Sequence, residues 1–442
     1  MGEHNKESVD AVVLGGNMRG LVAAHVLDKL GYRAVLIERA PWLGGADSSF
    51  TTKGGTRFEL GLHVLDYMRS ELATRLLTQA VDGAVHRVTL QRAIALRGQV
   101  MPYAPRPQDM PEPIRALLPS DDLIDDLGDQ LPTRERLAQY YGSDFTNLIF
   151  DEVLPSFPAE NRHRAFGVDE ARLLANIYPW FFPRARRTTP SADESRAFHD
   201  QLRAGVPQDI LYPQQGGFGA FAQGLADKLA NVEVITGASD VHTEVEPGTH
   251  TIRAVETGGR RFEAPRYFWA GPWPTLCNLV DLPCQEVSTD RVMIGSFVLN
   301  RPVNSEFHEI LVGDPELPVN RVYFPARFRE ANDPLMQVEF AVPRAEDWPD
   351  DPDYWQQAWR DAAAKLGLLD DQHEIVEFDY KSAPMHFNAY GMEGEALRDA
   401  DATALGEGSN IFPVIPSMSN LNLNRYVPRA VAYTAAVLAE DA

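Results

Sequence analysis

A glycine-rich turn near the start of the chain has the residue types that bind phosphate. Gly15, Gly16 and Gly20 follow a short apolar run, and residues 18–30 carry leucine and alanine at helical spacing. In the fingerprint G-x-G-x-x-G, the glycines allow a tight turn, a close approach of pyrophosphate and close packing of helix on strand. Asn17 takes the middle glycine position. The helix N-terminus would still offer N–H donors and a positive dipole end to an anion.

An acidic residue ends the next apolar run, where the fingerprint expects one. Glu38 lies 18 residues after Gly20, and its carboxylate could accept hydrogen bonds from a ribose diol. Asparagine tolerates positive φ better than most residues, so Asn17 could keep the turn while its side chain occupies phosphate space. We therefore predict a dinucleotide site. The alternative is an α/β domain whose glycines serve only the turn.

Two further segments carry a resemblance to a known group of flavoproteins. Residues 39–45 end in a glycine pair, which is unusual so soon after the ribose acid in nicotinamide-binding Rossmann domains. Residues 58–66 contain Gly61, Leu62 and His63. With the glycine turn, these segments resemble the superfamily of FAD-dependent amine oxidases, protoporphyrinogen oxidases and UDP-galactopyranose mutases. The arginine that commonly follows the glycine pair in amine oxidases is missing, which is closer to the mutases.

The resemblance implies FAD as the cofactor and assigns roles to particular residues. His63 would lie against the isoalloxazine ring as the catalytic candidate, and the alternative is an ordinary histidine satisfied by a backbone carbonyl. Val241 would contact the adenine through its backbone. The usual glycine-rich C-terminal ending is replaced by a polar stretch at 420–426. The implied cofactor-binding residues are Gly15, Gly16, Asn17, Gly20, Glu38, Arg39, Gly44, Gly45, Gly61, Leu62, Val241, Asn420 and Leu421.

The resemblance also implies a fold class and a division into domains. We expect an α/β chain with a Rossmann-type FAD-binding domain of the GR2 kind and an inserted α+β substrate domain. The FAD-binding domain is expected to be discontinuous in sequence, because composition changes between the glycine-rich segments. Its pieces are predicted at 1–70, 205–275 and 390–442, and those of the substrate-binding domain at 71–204 and 276–389.

The middle of the chain offers candidates for a substrate site. Arginines and aromatics cluster between residues 162 and 187, and these side chains can pair with carboxylate or phosphate and stack on rings or sugars. The alternative is a surface arginine cluster above buried aromatics. No zinc spacing, G-x-S-x-G elbow or P-loop lysine occurs, so the flavin would carry the chemistry. Further candidates for a site facing the flavin are Arg321, Tyr323, Tyr390, Arg425 and Tyr426.

Composition argues against several classes of function. The 442 residues include 41 Lys and Arg against 63 Asp and Glu, and the net charge of −22 repels nucleic acids and anionic membranes. Cys277 and Cys284 cannot form a disulfide framework, and the first ten residues lack the apolar segment of a signal peptide. No apolar run approaches the ~18 residues that span a bilayer. We expect a cytoplasmic protein that binds no nucleic acid and has no transmembrane segment.

Three functions remain open at this point. The first is an FAD-dependent oxidoreductase that passes hydride from a small-molecule substrate to the flavin, as the likeness to amine oxidases and protoporphyrinogen oxidases implies. The second is a redox-neutral flavoenzyme that acts on a nucleotide sugar, as in the mutases, and the Gly-Leu-His segment favours it. The third is a binding protein of the GDP-dissociation-inhibitor type without FAD catalysis, against which Glu38 and the glycine pair argue. The substrate candidates include anionic and nucleotide-linked molecules.

Overall fold

The fold is given by a computed structural model. It describes residues 5–67, 70–102, 110–117, 142–148, 208–282, 290–314, 316–342, 349–385, 408–414 and 423–439, together with residues 138, 151 and 405.

The described strands are spread along the whole chain. In chain order they are β1 (Asn5–Ser8), β2 (Ala11–Leu14), β3 (Ala34–Ile37), β4 (Ser49–Thr51), β5 (Arg57–Glu59), β6 (Leu65–Asp66), β7 (Val85–Leu90), β8 (Arg92–Leu96), β9 (Gln99–Pro102), β10 (Gln208–Pro213), β11 (Val232–Ile235), β12 (His242–Val245), β13 (Ile252–Thr257), β14 (Arg260–Glu263), β15 (Tyr267–Trp269), β16 (Asp290–Leu299), β17 (Glu309–Val312), β18 (Arg321–Tyr323), β19 (Leu335–Val342), β20 (Ile375–Met385) and β21 (Ile411–Pro413).

The described helices connect these strands or cover their sheets. They are α1 (Met18–Lys29), α2 (Glu71–Ala80), α3 (Glu112–Arg115), α4 (Ser143–Asn147), α5 (Ala220–Asp227), α6 (Trp273–Leu279), α7 (Pro352–Lys365) and α8 (Leu423–Ala439), with 3₁₀ turns at Gly45–Asp47 and Pro325–Arg329. None of these helices combines the length and the apolar character that a bilayer-spanning segment needs.

The glycine turn and Glu38 belong to a parallel five-stranded sheet, here called the Rossmann sheet. Its order is β11-β3-β2-β15-β21, and all neighbouring strands are parallel. Every residue of β2 and β3 is an apolar side chain and is buried. A parallel sheet covered on both faces requires such uninterrupted apolar strands. The two apolar runs predicted before and after the first helix are thus neighbouring strands of this sheet.

Helix α1 crosses from β2 to β3 and packs on one face of the Rossmann sheet. Its buried residues share a core with α2, α5 and α8. The sequence predicted a helix over residues 18–30 and a terminating glycine after it. The helix ends one residue earlier, at Lys29, and Gly31 has the positive φ of +80° that suits glycine at a helix end. The other face of the sheet packs on α6 and on a four-stranded sheet of order β1-β14-β13-β12.

A mixed seven-stranded sheet forms the second large layer. Its order is β20-β16-β19-β18-β17-β8-β9, and only the pair of β8 and β17 is parallel. Side chains alternate between its two faces along each strand. One face is apolar and packs on Trp355 and Trp359 of α7. We call the opposite face the polar face and define it by Arg92, Glu309, Arg321, Tyr323, Gln337 and Glu339.

Two small sheets join the Rossmann sheet to the polar face. Strands β4 and β5 form a hairpin, and β10 lies between β6 and β7 in an antiparallel sheet. The side chain of Gln337 on the polar face accepts from the backbone N–H of Glu59 and donates to its carbonyl, at 3.3 and 3.0 Å. The segment that leads to Gly61 is therefore attached to the polar face. The predicted division into two domains stays a prediction.

Candidate functional site

The glycine turn has the tight geometry that a phosphate loop requires. Gly15 has φ +111°, a conformation that side chains other than glycine rarely adopt. A Cβ on Gly20 would lie 1.9 Å from the carbonyl oxygen of Gly15, so α1 approaches the turn more closely than any other residue would allow. The first and third glycines therefore serve the two structural functions that the fingerprint assigns to them.

The carboxylate of Glu38 lies directly beside this turn. Its Oε2 accepts from the backbone N–H of Gly16 at 2.6 Å, and its Oε1 accepts from the N–H of Ala40 at 2.8 Å. Each oxygen of an ionised carboxylate has room for a second donor. Glu38 is thus held at the end of β3 with acceptor capacity for a hydroxyl pair such as a ribose diol.

Asn17 does not adopt the positive φ that its place in the fingerprint suggested. It has φ −70° and ψ 174° and is the N-cap of α1, where its Oδ1 accepts from the N–H groups of Arg19 and Gly20. Its Nδ2 donates to the carbonyl of Ala270 at 2.6 Å. The expectation was wrong because a capping side chain favours extended backbone, and capping satisfies two N–H groups that otherwise lack partners.

Replacing Asn17 with alanine is expected to lower the free energy of unfolding by about 1–2 kcal/mol, because the cap of α1 is lost. Asn17→Ser is the matched control, since its hydroxyl can still cap the helix while the contact of Nδ2 with Ala270 is lost. Urea unfolding of the wild type and the two variants measures both effects. Equal stability of Asn17→Ala and the wild type would contradict the capping role.

A half-buried cation lies in the first turn of the same helix. The guanidinium of Arg19 donates to the carbonyl of Ala270 at 3.1 Å and to that of Val414 at 3.5 Å. Burial lowers the pKa of Arg19, and the neighbouring Tyr426 and Asp47 partly raise it. A guanidinium beside a helix N-terminus supplies positive charge next to the glycine turn. Sequence reasoning overlooked Arg19, although a charged residue inside the fingerprint was a visible signal.

The glycine pair holds a second loop against the glycine turn. The N–H of Gly44 donates to the carbonyl of Gly16 at 2.8 Å. Gly44 and Gly45 have φ +100° and +59°, and they lead into the 3₁₀ turn that ends at Asp47. The two loops predicted to line one cofactor are therefore adjacent.

Asp47 connects this loop to His63. Its Oδ1 lies 3.3 Å from Nδ1 of His63, and its Oδ2 accepts from the hydroxyl of Tyr426 at 2.5 Å. Burial raises the pKa of the Asp47 carboxyl, and His63, Tyr426 and Arg19 offset part of that rise. Tyr426 was among the sequence candidates, whereas Asp47 was noticed only as a departure from the amine oxidases.

His63 and the polar face meet at Gly61. A Cβ built on Gly61, which has φ +98°, would lie 3.5 Å from both Nε2 of His63 and Oε2 of Glu339. The side chains of His63 and Glu339 are 15% and 17% exposed, so both remain accessible. The imidazole stacks on Phe218 with 6.0 Å between ring centroids. Leu62 is buried in the core below α1, which leaves only its backbone for a cofactor contact.

Four charges of the polar face form one chain of ion pairs. Arg92 pairs with Glu309 at 2.7 Å, Arg321 lies 3.5 Å from Glu309, and Arg321 pairs with Glu339 at 2.7 Å. Burial alone would raise the pKa of Glu309, but the two arginines outweigh it and hold that pKa below its ordinary value. The hydroxyl of Tyr323 is buried beside this chain and has no hydrogen-bond partner among the described residues. The sequence candidates Arg321 and Tyr323 thus lie on the side of the sheet that faces His63.

Glu59 is a buried carboxylate that sequence reasoning missed. It accepts from Ser49 Oγ at 2.6 Å, from the backbone N–H of Phe218 at 3.0 Å and from the hydroxyl of Tyr212. Burial raises its pKa, and these donors together with His63 lower it in part. An acidic residue within the apolar run at 58–62 was the available signal. Glu59 joins β5 to β10 directly below the segment that carries His63.

The remaining predicted residues are placed unevenly. Val241 precedes β12 and is half-buried against the core behind the Rossmann sheet, and Arg39 is exposed beyond β3. Arg425 lies in the first turn of α8. The predicted residues Asn420, Leu421 and Tyr390 and the predicted arginine-aromatic cluster of 162–187 lie outside the described residues. No group of three potential metal ligands of the His, Cys, Asp or Glu type occurs in the part of the chain that the structure covers.

The arrangement fits a dinucleotide. The positive end of the α1 dipole and the Arg19 guanidinium suit a pyrophosphate, and the Glu38 carboxylate suits a ribose diol. A family model described as an NAD(P)-binding Rossmann-like domain matches residues 13–80. The all-trans-retinol 13,14-reductase of Rattus norvegicus is 35% identical over 78 residues, which are 17% of this chain and 13% of that protein. This likeness in sequence covers a short stretch of each.

Solved structures match over nearly the full length. Reduced UDP-galactopyranose mutase has a TM-score of 0.69 at 14% identity, over 98% of this chain and 94% of that one. A protein of Exiguobacterium sp. 255-15 described as a protoporphyrinogen oxidase has a TM-score of 0.67 at 17% identity, with 100% of both chains covered. Putrescine oxidase bound to putrescine has a TM-score of 0.57 at 15% identity, with 98% and 100% covered.

These matches bear on the predicted fold class and on the resemblance stated from the sequence. Identities this low establish the fold alone, and the family model independently identifies the dinucleotide-binding segment. The α/β class with a Rossmann-type domain is confirmed. The chain therefore contains a segment that matches a model of an NAD(P)-binding Rossmann-like domain, and it has the fold seen in UDP-galactopyranose mutase, in a protein described as a protoporphyrinogen oxidase and in putrescine oxidase.

Proposed function

We propose that the chain is an FAD-dependent oxidoreductase that acts on a small molecule. The observation that carries the proposal is the junction of the two glycine loops beside Glu38. Gly16 donates to Glu38 and accepts from Gly44, so the turn, the ribose acid and the glycine pair form one continuous surface. A nicotinamide dinucleotide needs the first two of these features, and the glycine pair is what favours FAD.

In this proposal each part of FAD has its own residues. The pyrophosphate lies at the glycine turn with Gly15, Gly20, Asn17 and Arg19, and the ribose diol lies at Glu38. Val241 contacts the adenine. Further contacts with FAD, implied by the superfamily resemblance, are assigned to Arg39, Asn420 and Leu421. Bound FAD supplies a hydride acceptor for a C–H or N–H bond of the substrate.

The residues around Gly61 would act on the substrate side of the cofactor. Glycine at this position permits close approach of a flat ring to the backbone, with His63 Nε2 and Glu339 Oε2 at its edge. His63 would hold or accept a proton at Nε2 as the substrate is oxidised. Arg321 keeps Glu339 paired, so that carboxylate accepts hydrogen bonds from a polar substrate. The substrate-binding pieces are proposed at 71–204 and 276–389, and the FAD-binding pieces at 1–70, 205–275 and 390–442.

The absorption spectrum of the purified protein tests the cofactor. We expect flavin bands and release of FAD on denaturation. Titration of the flavin-free protein with FAD, NADH and NADPH then compares the three dinucleotides directly. A colourless protein that takes up no FAD but binds a nicotinamide dinucleotide would overturn the proposal. A protein that binds none of the three would favour the third reading, a binding protein of the GDP-dissociation-inhibitor type.

A redox-neutral reaction on a nucleotide sugar is the second candidate. The fold match to UDP-galactopyranose mutase and the place of His63 beside Gly61 favour it. The two chemistries separate under anaerobic conditions. A substrate of the oxidoreductase bleaches the flavin, whereas a mutase turns over UDP-galactopyranose only after the flavin has been reduced with dithionite and leaves it reduced.

Replacing Glu38 with alanine is expected to raise the dissociation constant of FAD about ten-fold or more, because a charge-assisted hydrogen bond of ~1.5–3 kcal/mol is lost. Glu38→Gln keeps one acceptor oxygen, so its dissociation constant for FAD should lie between those of the wild type and Glu38→Ala. Flavin fluorescence titration measures the affinity, and urea unfolding without flavin separates it from the lost contacts to Gly16 and Ala40. Unchanged affinity in the alanine variant would remove Glu38 from the site.

A further inference from the structure

We infer that Asp47 is a positioning residue that holds His63 in a single tautomer, with the proton on Nδ1 and the Nε2 lone pair on the open side of Gly61. The open side of Gly61 is the place where a Cβ would lie, 3.5 Å from Nε2. The inference deepens the proposed function and rests on it for the role of His63. The tautomer itself is a property of the protein without flavin.

Tyr426 occupies one of the two oxygens of the Asp47 carboxyl. Burial, and next the Asp47 carboxylate, raises the pKa of Tyr426 well above its ordinary value, so its hydroxyl keeps the proton and donates to Oδ2. Oδ1 is then the oxygen that faces Nδ1 of His63 at 3.3 Å. An ionised carboxylate has acceptor capacity for both neighbours, and a proton on Nδ1 of His63 is the arrangement that lets Oδ1 use it.

The surrounding groups keep this arrangement in place. The Arg19 guanidinium favours the ionised form of Asp47. On the other side of His63, the carboxyls of Glu59 and Glu339 lie near the ring, from β5 and from the polar face. Phe218 stacks on the imidazole and limits its rotation. The ring is thus held between a carboxylate at Nδ1 and an accessible position at Nε2.

The consequence is a defined proton acceptor next to the cofactor site. With the proton on Nδ1 beside Asp47, Nε2 carries a lone pair near the open side of Gly61. A substrate O–H or N–H that reaches this position can give its proton to Nε2, and Asp47 then stabilises the resulting imidazolium. Asp47 would act on the reaction only through His63.

Nitrogen-15 NMR of histidine-labelled protein tests the tautomer directly. Spectra are recorded at about pH 9, where an ordinary imidazole is neutral, with His63→Gln to assign the signal among the 11 histidines. We expect a protonated Nδ1 and an unprotonated Nε2 in the flavin-free wild type. A proton on Nε2 in the wild type would overturn the inference without any substitution at Asp47.

Asp47→Asn supplies the second measurement. Tyr426 still requires an acceptor, so the amide turns its carbonyl toward Tyr426 and its NH₂ toward Nδ1, and His63 must change to the Nε2–H tautomer. Tyr426→Phe is the matched control and should leave the proton on Nδ1. An unchanged tautomer in Asp47→Asn would count against the inference. Failure of the proposed function appears separately, as a protein that takes up no FAD.

Discussion

His63→Ala is expected to fold, stay yellow and lose about 10²–10⁴-fold in turnover, since that is the usual contribution of a positioned proton-transfer group. The variant removes the ring between Asp47 and Gly61 but leaves the glycine loops and Glu38 in place. Stopped-flow measurement of anaerobic flavin reduction, with the substrate that bleaches the wild type, gives the rate of the chemical step.

His242→Ala is the matched control, because His242 is exposed in β12 away from this site. A raised KM with unchanged kcat in His63→Ala would show that the ring only shapes the pocket. Full activity with an unaltered flavin spectrum would make His63 the ordinary histidine of the alternative interpretation. It would also remove the main local argument for a mutase-like site.

Glu309→Ala is expected to be the most destabilising single change on the polar face, by about 3–5 kcal/mol. Glu309 is buried between Arg92 and Arg321, and its loss leaves two arginines facing each other without the carboxylate that joins them. Removing one partner of a buried ion pair costs more than the pair contributes. Glu306→Ala changes an exposed carboxylate three residues earlier and should have little effect. Similar unfolding curves for the two variants would show that Glu309 is dispensable.

The same ion pairs give a signed dependence on pH. The pKa of Glu309 is lower in the folded protein than its ordinary value of 4.5. Its contribution to stability is therefore complete above that value and is lost as pH falls through the folded pKa. Urea unfolding at decreasing pH should show that the difference in free energy of unfolding between the wild type and Glu309→Ala becomes smaller in the acid range.

The dinucleotide-binding start could be predicted because its signals are local. The two apolar strands, the helical spacing of α1, Gly31 and Glu38 all lie within one βαβ unit. Glycines often occupy positive φ values that other residues rarely adopt, so Gly15 and the glycine pair were good indicators of the turns at which they lie. Asn17 was misjudged because two local preferences compete there. Positive φ and helix capping both suit asparagine, and capping prevailed.

The pairing partners within the site could not be predicted. Tyr426 reaches Asp47 across 379 positions of sequence, and Gln337 reaches Glu59 across 278. Such contacts depend on how α8 and the polar face pack against the hairpin of β4 and β5. The residue pattern within α8 or within the strands of the polar face does not indicate this packing. Alternation along β18 could have placed Arg321 and Tyr323 on one face. It could not have shown that this face turns toward His63.

The Rossmann sheet is completed by a strand that a ribosome makes late. β15 pairs with β2 on one side and with β21 on the other. Between the end of β15 at Trp269 and the start of β21 at Ile411 lie 141 residues. Until β21 emerges, β15 presents an open apolar edge, and such edges recruit strands from other molecules. The yield of soluble protein during expression therefore depends on how long that edge stays open during translation, and not only on the stability of the finished fold.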